Sequence, residues 1–378
     1  MPRPRPDQSG ARSGRPLVVA IAATQVLVAV ATATVVLLGY RNLDQNIPPG
    51  EAIPHVAPQA PTEAMNILVM GSDTRAGAGN GIDRADGGGA ADVSILLHVS
   101  ADRTEAYGVS LPRDAIVSRP ECRGEGTGEV LPAVDEVIFN EALAVGGPGC
   151  AVAQVESLTG VFVDHYVVLD FAGFTDMVDA VDGVEVCVPE PVDSKGIVLE
   201  AGTQTLEGEQ ALGYVRERTE LAITGDIGRM KRQQAFAASL AAKVLSAGTL
   251  SRPDRVYRFL DAFTASLRVD EELDSVSALA GLARELRALR AQDIAFVTVP
   301  LAEYEPDPNR LVWTEEADVL WNRINRDAPL PGRFSAETVR ASDRVDGDGG
   351  QGGQGGQGGG SGAAEERAEA RRAAGLCA

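Results

Sequence analysis

An α/β layered domain behind one membrane-spanning helix is the fold class that this sequence predicts. Three observations carry it. Short apolar runs alternate with helical periodicities from residue 65 onward, the pattern of strands and helices stacked in layers rather than of an all-α or all-β protein. The segment 17–40, LVVAIAATQVLVAVATATVVLLGY, carries no charge and exceeds the roughly 20 residues that a helix needs to cross the hydrocarbon. With 378 residues, 44% hydrophobic and 23% charged, the chain can bury a substantial core.

Taken in order, Arg3, Arg5, Arg12 and Arg15 precede the apolar segment against a single Asp7. Residues 1–16 are therefore expected as a cytoplasmic tail, with everything after residue 40 outside the cell. A cleaved signal peptide is the competing reading, with ATA as a small-residue cleavage site. The uninterrupted apolar length, beyond the about 7–15 residues of a signal h-region, favours an uncleaved anchor. Residues 41–64, rich in proline and polar groups, predict a juxtamembrane linker. One folded domain is expected over 65–330. MNILVMG is a nearly continuous apolar run ending in glycine, as in a buried strand that feeds a loop, and VSILLHVS and EAYGVSLP repeat it across the turn ADRT. CAVAQVESLTG has helical spacing with a glycine stop before the strand DHYVVLD, and FAGFTDMVDAVDG is a short helix before VEVCVP. ALGYVRERTE reads as a strand. GRMKRQQAFAASLAAKVLSAG is an Ala-rich helix opened near Asp226 and stopped at Gly248. Further helices over 253–290 and the strand DIAFVTVPL complete the domain. Residues 331–362, with the run VDGDGGQGGQGGQGGGSG, read as a flexible linker, and 363–378 as a short charged helical tail.

A net charge of −20 and a pI near 4.6 argue against nucleic acid as a partner, because phosphate backbones are bound by basic surfaces. Against that background YVRERTELAITGDIGRMKRQQ gathers Arg216, Arg218, Arg229, Lys231 and Arg232. On an extended strand Arg216 and Arg218 share a face; on the following helix Arg229, Arg232 and Gln233 do. Where strand end and helix start meet, guanidinium groups converge on a helix N-terminus, a natural anion site. Guanidinium forks grip phosphate oxygens bidentately, so the arrangement points to a pyrophosphate. A solvated salt-bridge network with Glu217, Glu220 and Asp226 is the alternative. Asp73, after the first strand in GSDTR, and Asp92, opening the next in GGGAADVSIL, add the carboxylate pair that Mg²⁺ uses beside phosphate. Strand-end loops are where α/β sheets place ligands. Arg113 in SLPRD offers a further clamp, while Asp114 reads as a turn former.

His98 and His165 read as satisfied strand residues, and neither a Ser-His-Asp set nor a zinc spacing is present in the sequence. Four cysteines in an exported chain predict disulfides. Three pairings are open; Cys122 and Cys150 flank a Gly-rich stretch, which leaves Cys187 for Cys377.

The runs NILVMGSDTR, VSLPRD, FNEALAVGGP, LTGVFVDHYVVLDFAGF, VDGVEVCVPEPV, GTQTLEGEQALGYVRER and GDIGRMKRQQ occur in the order found in the LytR-CpsA-Psr family. From about residue 65 to about residue 250 the chain resembles that family, and its cysteine positions resemble the actinobacterial branch. The resemblance implies a three-layer α-β-α domain with a mixed central sheet. It also implies a membrane-anchored phosphotransferase that moves a glycopolymer from a polyprenyl-pyrophosphate carrier onto peptidoglycan. By that likeness Asp73 and Asp92 hold Mg²⁺ or Mn²⁺, and Arg75, Arg113, Arg216, Arg218, Arg229 and Gln233 hold the pyrophosphate. Asp73, Arg113, Arg216 and Arg218 are the residues expected to carry catalysis, with Asp73 also accepting the proton of a muramic acid hydroxyl. The polyprenyl tail is expected in an apolar tunnel. Members commonly have an arginine two residues before the second magnesium aspartate; this chain has Ala90, with Arg84 in the Gly-rich loop as a substitute. A polyprenyl-pyrophosphate hydrolase and a non-catalytic sensor of lipid-linked intermediates are the alternatives.

Overall fold

Apolar side chains on both faces of the first strand decide the architecture. The computed structural model describes residues 14–59, 61–72, 91–188, 191–194, 197–217, 225–335 and 338–340. In it β1 (Met65–Ser72) turns Leu68 and Met70 to one face and Ile67 and Val69 to the other. Such a strand needs cover on both sides. It lies inside a seven-stranded sheet with β2 (Ala91–Val99), β3 (Ala106–Ser110), β4 (His165–Asp170), β5 (Leu267–Val269), β6 (Ile294–Thr298) and β7 (Val339–Arg340), in the order β5-β4-β1-β2-β3-β6-β7. β1 runs antiparallel to β2 and parallel to β4, and β3 antiparallel to β2 and parallel to β6, so the sheet is mixed.

A long helix, α1 (Gly14–Asn46), precedes the sheet. α2 (Glu141–Thr159) and α9 (Glu315–Asn325) cover the face bearing Leu68, Met70 and Leu96. On the other face α7 (Pro253–Ala265) and α8 (Val276–Glu285) cover Ile67, Leu97 and Val167, and α5 (Gly225–Leu245) covers Ile95 and Phe296. These are the three expected layers. A smaller core forms where the ribbon of Val184–Val188 and Gly202–Leu206 packs on α3 (Phe171–Ala180), α4 (Gly208–Arg216) and α5. α2 ends where the sequence places its stop: Gly160 adopts φ 64° and returns its N–H to Glu156 O at 2.8 Å.

The structure corrects one element and moves two boundaries. GEQALGYVR is the helix α4, not a strand, because Ala211, Leu212, Tyr214 and Val215 recur at helical spacing and all four are buried. Arg216 therefore ends a helix and does not share a strand face with Arg218, which lies outside the described residues. The stretch expected as a spacer is packed: α1 runs on to Asn46, Leu43 and Ile47 are buried, and Glu51 bridges Asp270. At the other end Val339 pairs with Phe296 in the sheet, eight residues beyond the expected start of the linker at 331. Cys122 and Cys150 form a disulfide, with sulfurs 1.99 Å apart. The Cys187–Cys377 pairing falls on Cys377, outside the described residues.

Candidate functional site

All the sequence-predicted site residues that can be placed lie at one end of the sheet. β1 and β4 finish there, β3 and β6 finish there, and antiparallel β2 begins there; Ser72 is in register with both Ala91 and Asp170. Beside this end is a small open cleft whose wall includes Asp92, Arg113, Asp114, Arg229 and Gln233. Arg113 reaches it from the turn after β3. Its Nη1 donates to Asp92 Oδ1 in a short contact, and its Nε donates to Asp114 Oδ2 at 2.9 Å. Burial works against the guanidinium's charge, but Asp114 and then Asp92 outweigh it, so the pKa of Arg113 is raised. Asp114 also accepts from Arg310 Nη1 at 3.2 Å and has Arg229 Nη2 at 3.7 Å. Three arginines thus surround one carboxylate at the mouth of a cleft.

Why α5 presents Arg229 and Gln233 there follows from its neighbour Gln234. That side chain is fully buried, and its Nε2 donates to Ser110 Oγ at the end of β3 and to Thr298 Oγ1 at the end of β6, each at 2.9 Å. Two bonds to adjacent strand ends fix the helix's rotation. Gln233 Nε2 then donates to Val215 O at 3.1 Å, which ties α4 to the cleft wall. Arg232, expected on the same face as Arg229 and Gln233, instead turns inward: it is 0% exposed and its Nη2 donates to Glu217 O at 2.6 Å. Its place is structural. Arg216 has its Cζ 4.8 Å from the centre of the Phe171 ring, a cation–π contact that holds it beside the end of β4. Asp73 and Arg75, together with Arg84 and Ala90, lie outside the described residues, though Asp73 directly follows Ser72, the register partner of Ala91.

A family model matches residues 40–325, about three quarters of the chain, and its description reads LytR_cpsA_psr family. The chain belongs to the LytR-CpsA-Psr family. Among its relatives, the cell wall biosynthesis protein LcpA of Corynebacterium glutamicum is 33% identical over 271 residues, covering 64% of this chain and 51% of LcpA. The polyisoprenyl-teichoic acid–peptidoglycan teichoic acid transferase TagU of Enterococcus faecalis is 31% identical over 218 residues, covering 58% of this chain and 65% of TagU. The chain spans about half the length of LcpA. A solved LytR-Csp2A-Psr enzyme from Actinomyces oris superposes with a TM-score of 0.55 at 21% identity, over 74% of this chain and 96% of that one, and so shares the fold.

Of the two carboxylates expected to hold magnesium in this LytR-CpsA-Psr protein, Asp92 is the one among the described residues, and it already accepts from Arg113. Asp92 is one-fifth exposed on the cleft wall, and Ser94, two residues on and so on the same face of β2, has a buried hydroxyl oxygen with no hydrogen-bond partner. A partly exposed carboxylate is the donor type that Mg²⁺ takes, one or two at a time, while it keeps most of its waters; the Ser94 oxygen beside it is buried. Among the described residues no group of three or more His, Cys, Asp or Glu could hold a metal ion. Sequence reasoning missed Asp114 as the hub, Arg310 as its third cation and Gln234 as the lock on α5. For Asp114 the signal was present: in a Pro-Arg-Asp turn, a carboxylate directly beside a proposed phosphate clamp is its nearest counterion.

Proposed function

We propose that this chain is a membrane-anchored phosphotransferase that moves a glycopolymer from a polyprenyl-pyrophosphate carrier onto peptidoglycan. One observation carries the reading: in a member of this family, Arg113 and Arg229 converge with Asp92 and Asp114 on a cleft at the strand ends. The likeness to TagU, a polyisoprenyl-teichoic acid–peptidoglycan teichoic acid transferase, supports the substrate classes. The arginine excess over acid in residues 1–16 and the 29-residue apolar span Val18–Asn46 support a cytoplasmic N-terminus and a domain outside the cell.

In this reading Arg113 and Arg229 bind the diphosphate, with Gln233 lining the same wall and Arg216 and Arg218 as further clamps. Asp114 holds Arg113 in place before substrate arrives, so little reorganisation is required when charge moves to the leaving lipid phosphate. Asp92, with Asp73, would hold a Mg²⁺ or Mn²⁺ ion, whose contribution when bound is to neutralise diphosphate charge. An acceptor hydroxyl of peptidoglycan attacks the sugar-bearing phosphorus, the bond to the lipid phosphate breaks, and the hydroxyl proton passes to a carboxylate, for which Asp73 is the candidate. The polyprenyl chain would lie in an apolar tunnel within the domain.

The test uses full-length protein with a polyprenyl-diphosphate-linked glycan and a peptidoglycan acceptor. Arg113→Ala and Asp92→Asn should each lower transfer by about 10²-fold or more. Unchanged rates in both would overturn the assignment. Release of glycan phosphate to water at the same rate with and without acceptor would establish the hydrolase instead.

A further inference from the structure

The seam between α1 and α7 fixes how deep the folded domain sits. Asn46 Nδ2 donates to Asp261 Oδ1 at 3.0 Å and to Thr264 Oγ1 at 3.2 Å, and Asn42 Nδ2 donates to Asp261 Oδ1 at 2.7 Å and to Tyr257 Oη at 3.3 Å. One turn earlier a Cβ on Gly39 would come within 3.2 Å of the Tyr257 ring. As α1 runs from 39 to 46 its partners run from 257 to 264, so the two helices are parallel and in step. The contacts turn from amide–carboxylate to glycine–aromatic toward the N-terminus of α1, as a seam leaving water for lipid would.

Both helices rise about 1.5 Å per residue, so Pro253 lies about 6 Å deeper than Tyr257, level with Val35. The uncharged stretch 17–40 is about 36 Å long as a helix, against a hydrocarbon thickness of about 30 Å. Wherever the apolar stretch is centred, the hydrocarbon edge on the domain's side then falls among residues 36–40, level with residues 254–258 of α7. The first turn of α7, which α6 (Ala247–Leu250) directly precedes, is thus at or below that edge. The surface of this α6–α7 corner fits: Leu250 is 57% exposed, Tyr257 40% and Leu260 39%, an apolar set that the described residues leave partly open. Arg252 and Arg258, both exposed and level with residues 34 and 40, flank that edge, and long cationic side chains of this kind extend their heads out to the polar layer.

We propose that the α6–α7 corner is a bilayer-docking surface, with Leu250 immersed at the hydrocarbon edge and Tyr257, Leu260 and the neighbouring arginines in the headgroup layer of the leaflet on the domain's side. This rests on the reading of α1 as a membrane span, not on the transfer chemistry. Rigid seating of this kind would keep the cleft at a fixed height over the leaflet from which a lipid carrier is drawn.

Full-length protein in phosphatidylcholine vesicles brominated either near the headgroup or near the chain ends tests this through added tryptophans. Each reporter replaces an exposed side chain: Val28→Trp in the span, Leu250→Trp and Leu260→Trp in the corner, and Val198→Trp, 63% exposed away from it. The parent protein supplies the background of Trp313 and Trp321. We expect the emission added at 250 to be largely lost with shallow bromines, that at 260 to be quenched less, that at 28 to be quenched most by deep bromines, and that at 198 to be unaffected. Quenching at 28 with none at 250 would overturn the docking surface alone. No quenching at 28 would overturn both the span and the proposal. A blue-shifted, unquenched tryptophan at 250 would show a protein partner covering the corner, and would overturn it as well.

Discussion

Asp114 shows how much one side chain decides and how little of that is visible in the chain's order. As a residue after Pro-Arg it reads as a turn former, yet it binds Arg113, its neighbour, and Arg310, 196 residues away. Charge types were legible and partners were not, because an ion pair across the fold has no sequence period. With 17% of its side chain exposed, Asp114 is held in partly desolvated surroundings, so removal leaves Arg113 and Arg310 short of a counterion. Asp114→Ala should lower unfolding free energy by about 1–3 kcal/mol, and Asp114→Asn by less, as read by urea unfolding; equal stability of parent and Asp114→Ala would refute the hub. His165 makes a pH prediction. Burial lowers its pKa, but the hydrogen bond and charge of Asp270, helped by Asp164 and Glu272, outweigh that and leave it above the ordinary 6.5. The native state then holds the proton longer than the unfolded chain, so this contribution is complete below pH 6.5 and fades as pH rises through the raised value. His165→Gln should flatten the loss of stability between mildly acidic and mildly alkaline pH relative to the parent. His98, whose pKa burial lowers against the pull of Asp327, contributes the opposite slope in both proteins and cancels in the comparison.

At the scale of elements the sheet was readable and the helix α4 was not. Strands such as β1 and β2 declare themselves by continuous apolar runs. ALGYVR is too short to show its period beside a charge-rich tail, and reading two arginines onto one strand face hid the helix. What settles α4 is tertiary, a buried stripe of Ala211, Leu212, Tyr214 and Val215 against a second core, and packing of that kind overrides weak local signals. The junction of α3 with α7 makes the same point for a glycine. A Cβ on Gly173 would lie 1.9 Å from Ser266 Cβ and 2.3 Å from its Oγ, a contact set by two helices 93 residues apart in sequence. Gly173→Ala should therefore cost about 1–3 kcal/mol through overpacking, and Ser266→Gly in the same chain should recover part of it, since neighbouring substitutions couple. Calorimetric melting of the parent and the two variants measures this. A single Gly173→Ala variant as stable as the parent would mean that the helices part more easily than their packing indicates.

Across the whole molecule the domain is joined to α1 by a strap rather than a tether, and one carboxylate holds the strap down. Glu156 on α2 is buried, and its oxygens accept from Val56 N at 2.6 Å, Ala57 N at 2.9 Å and Val163 N at 3.0 Å, with His55 Nδ1 at 2.8 Å. His55 stacks on Phe162 with ring centroids 4.1 Å apart, and upstream Gly50 passes so close to Asp270 that a Cβ there would meet its carbonyl oxygen at 2.2 Å. Composition alone suggested a loose linker over these residues, because proline and polar groups look the same whether solvated or pinned by a distant acid. In Glu156→Ala the N–H of Val163 loses its acceptor inside the domain, at about 1–3 kcal/mol, whereas those of Val56 and Ala57 can turn to water. The sheet should stay folded while the strap lets go. Hydrogen exchange followed by peptide mass analysis should then show fast labelling confined to residues around 55–57, with β1 as protected as in the parent. Unchanged protection of the strap would mean that its attachment rests on Ile47, Glu51 and the α1–α7 seam instead.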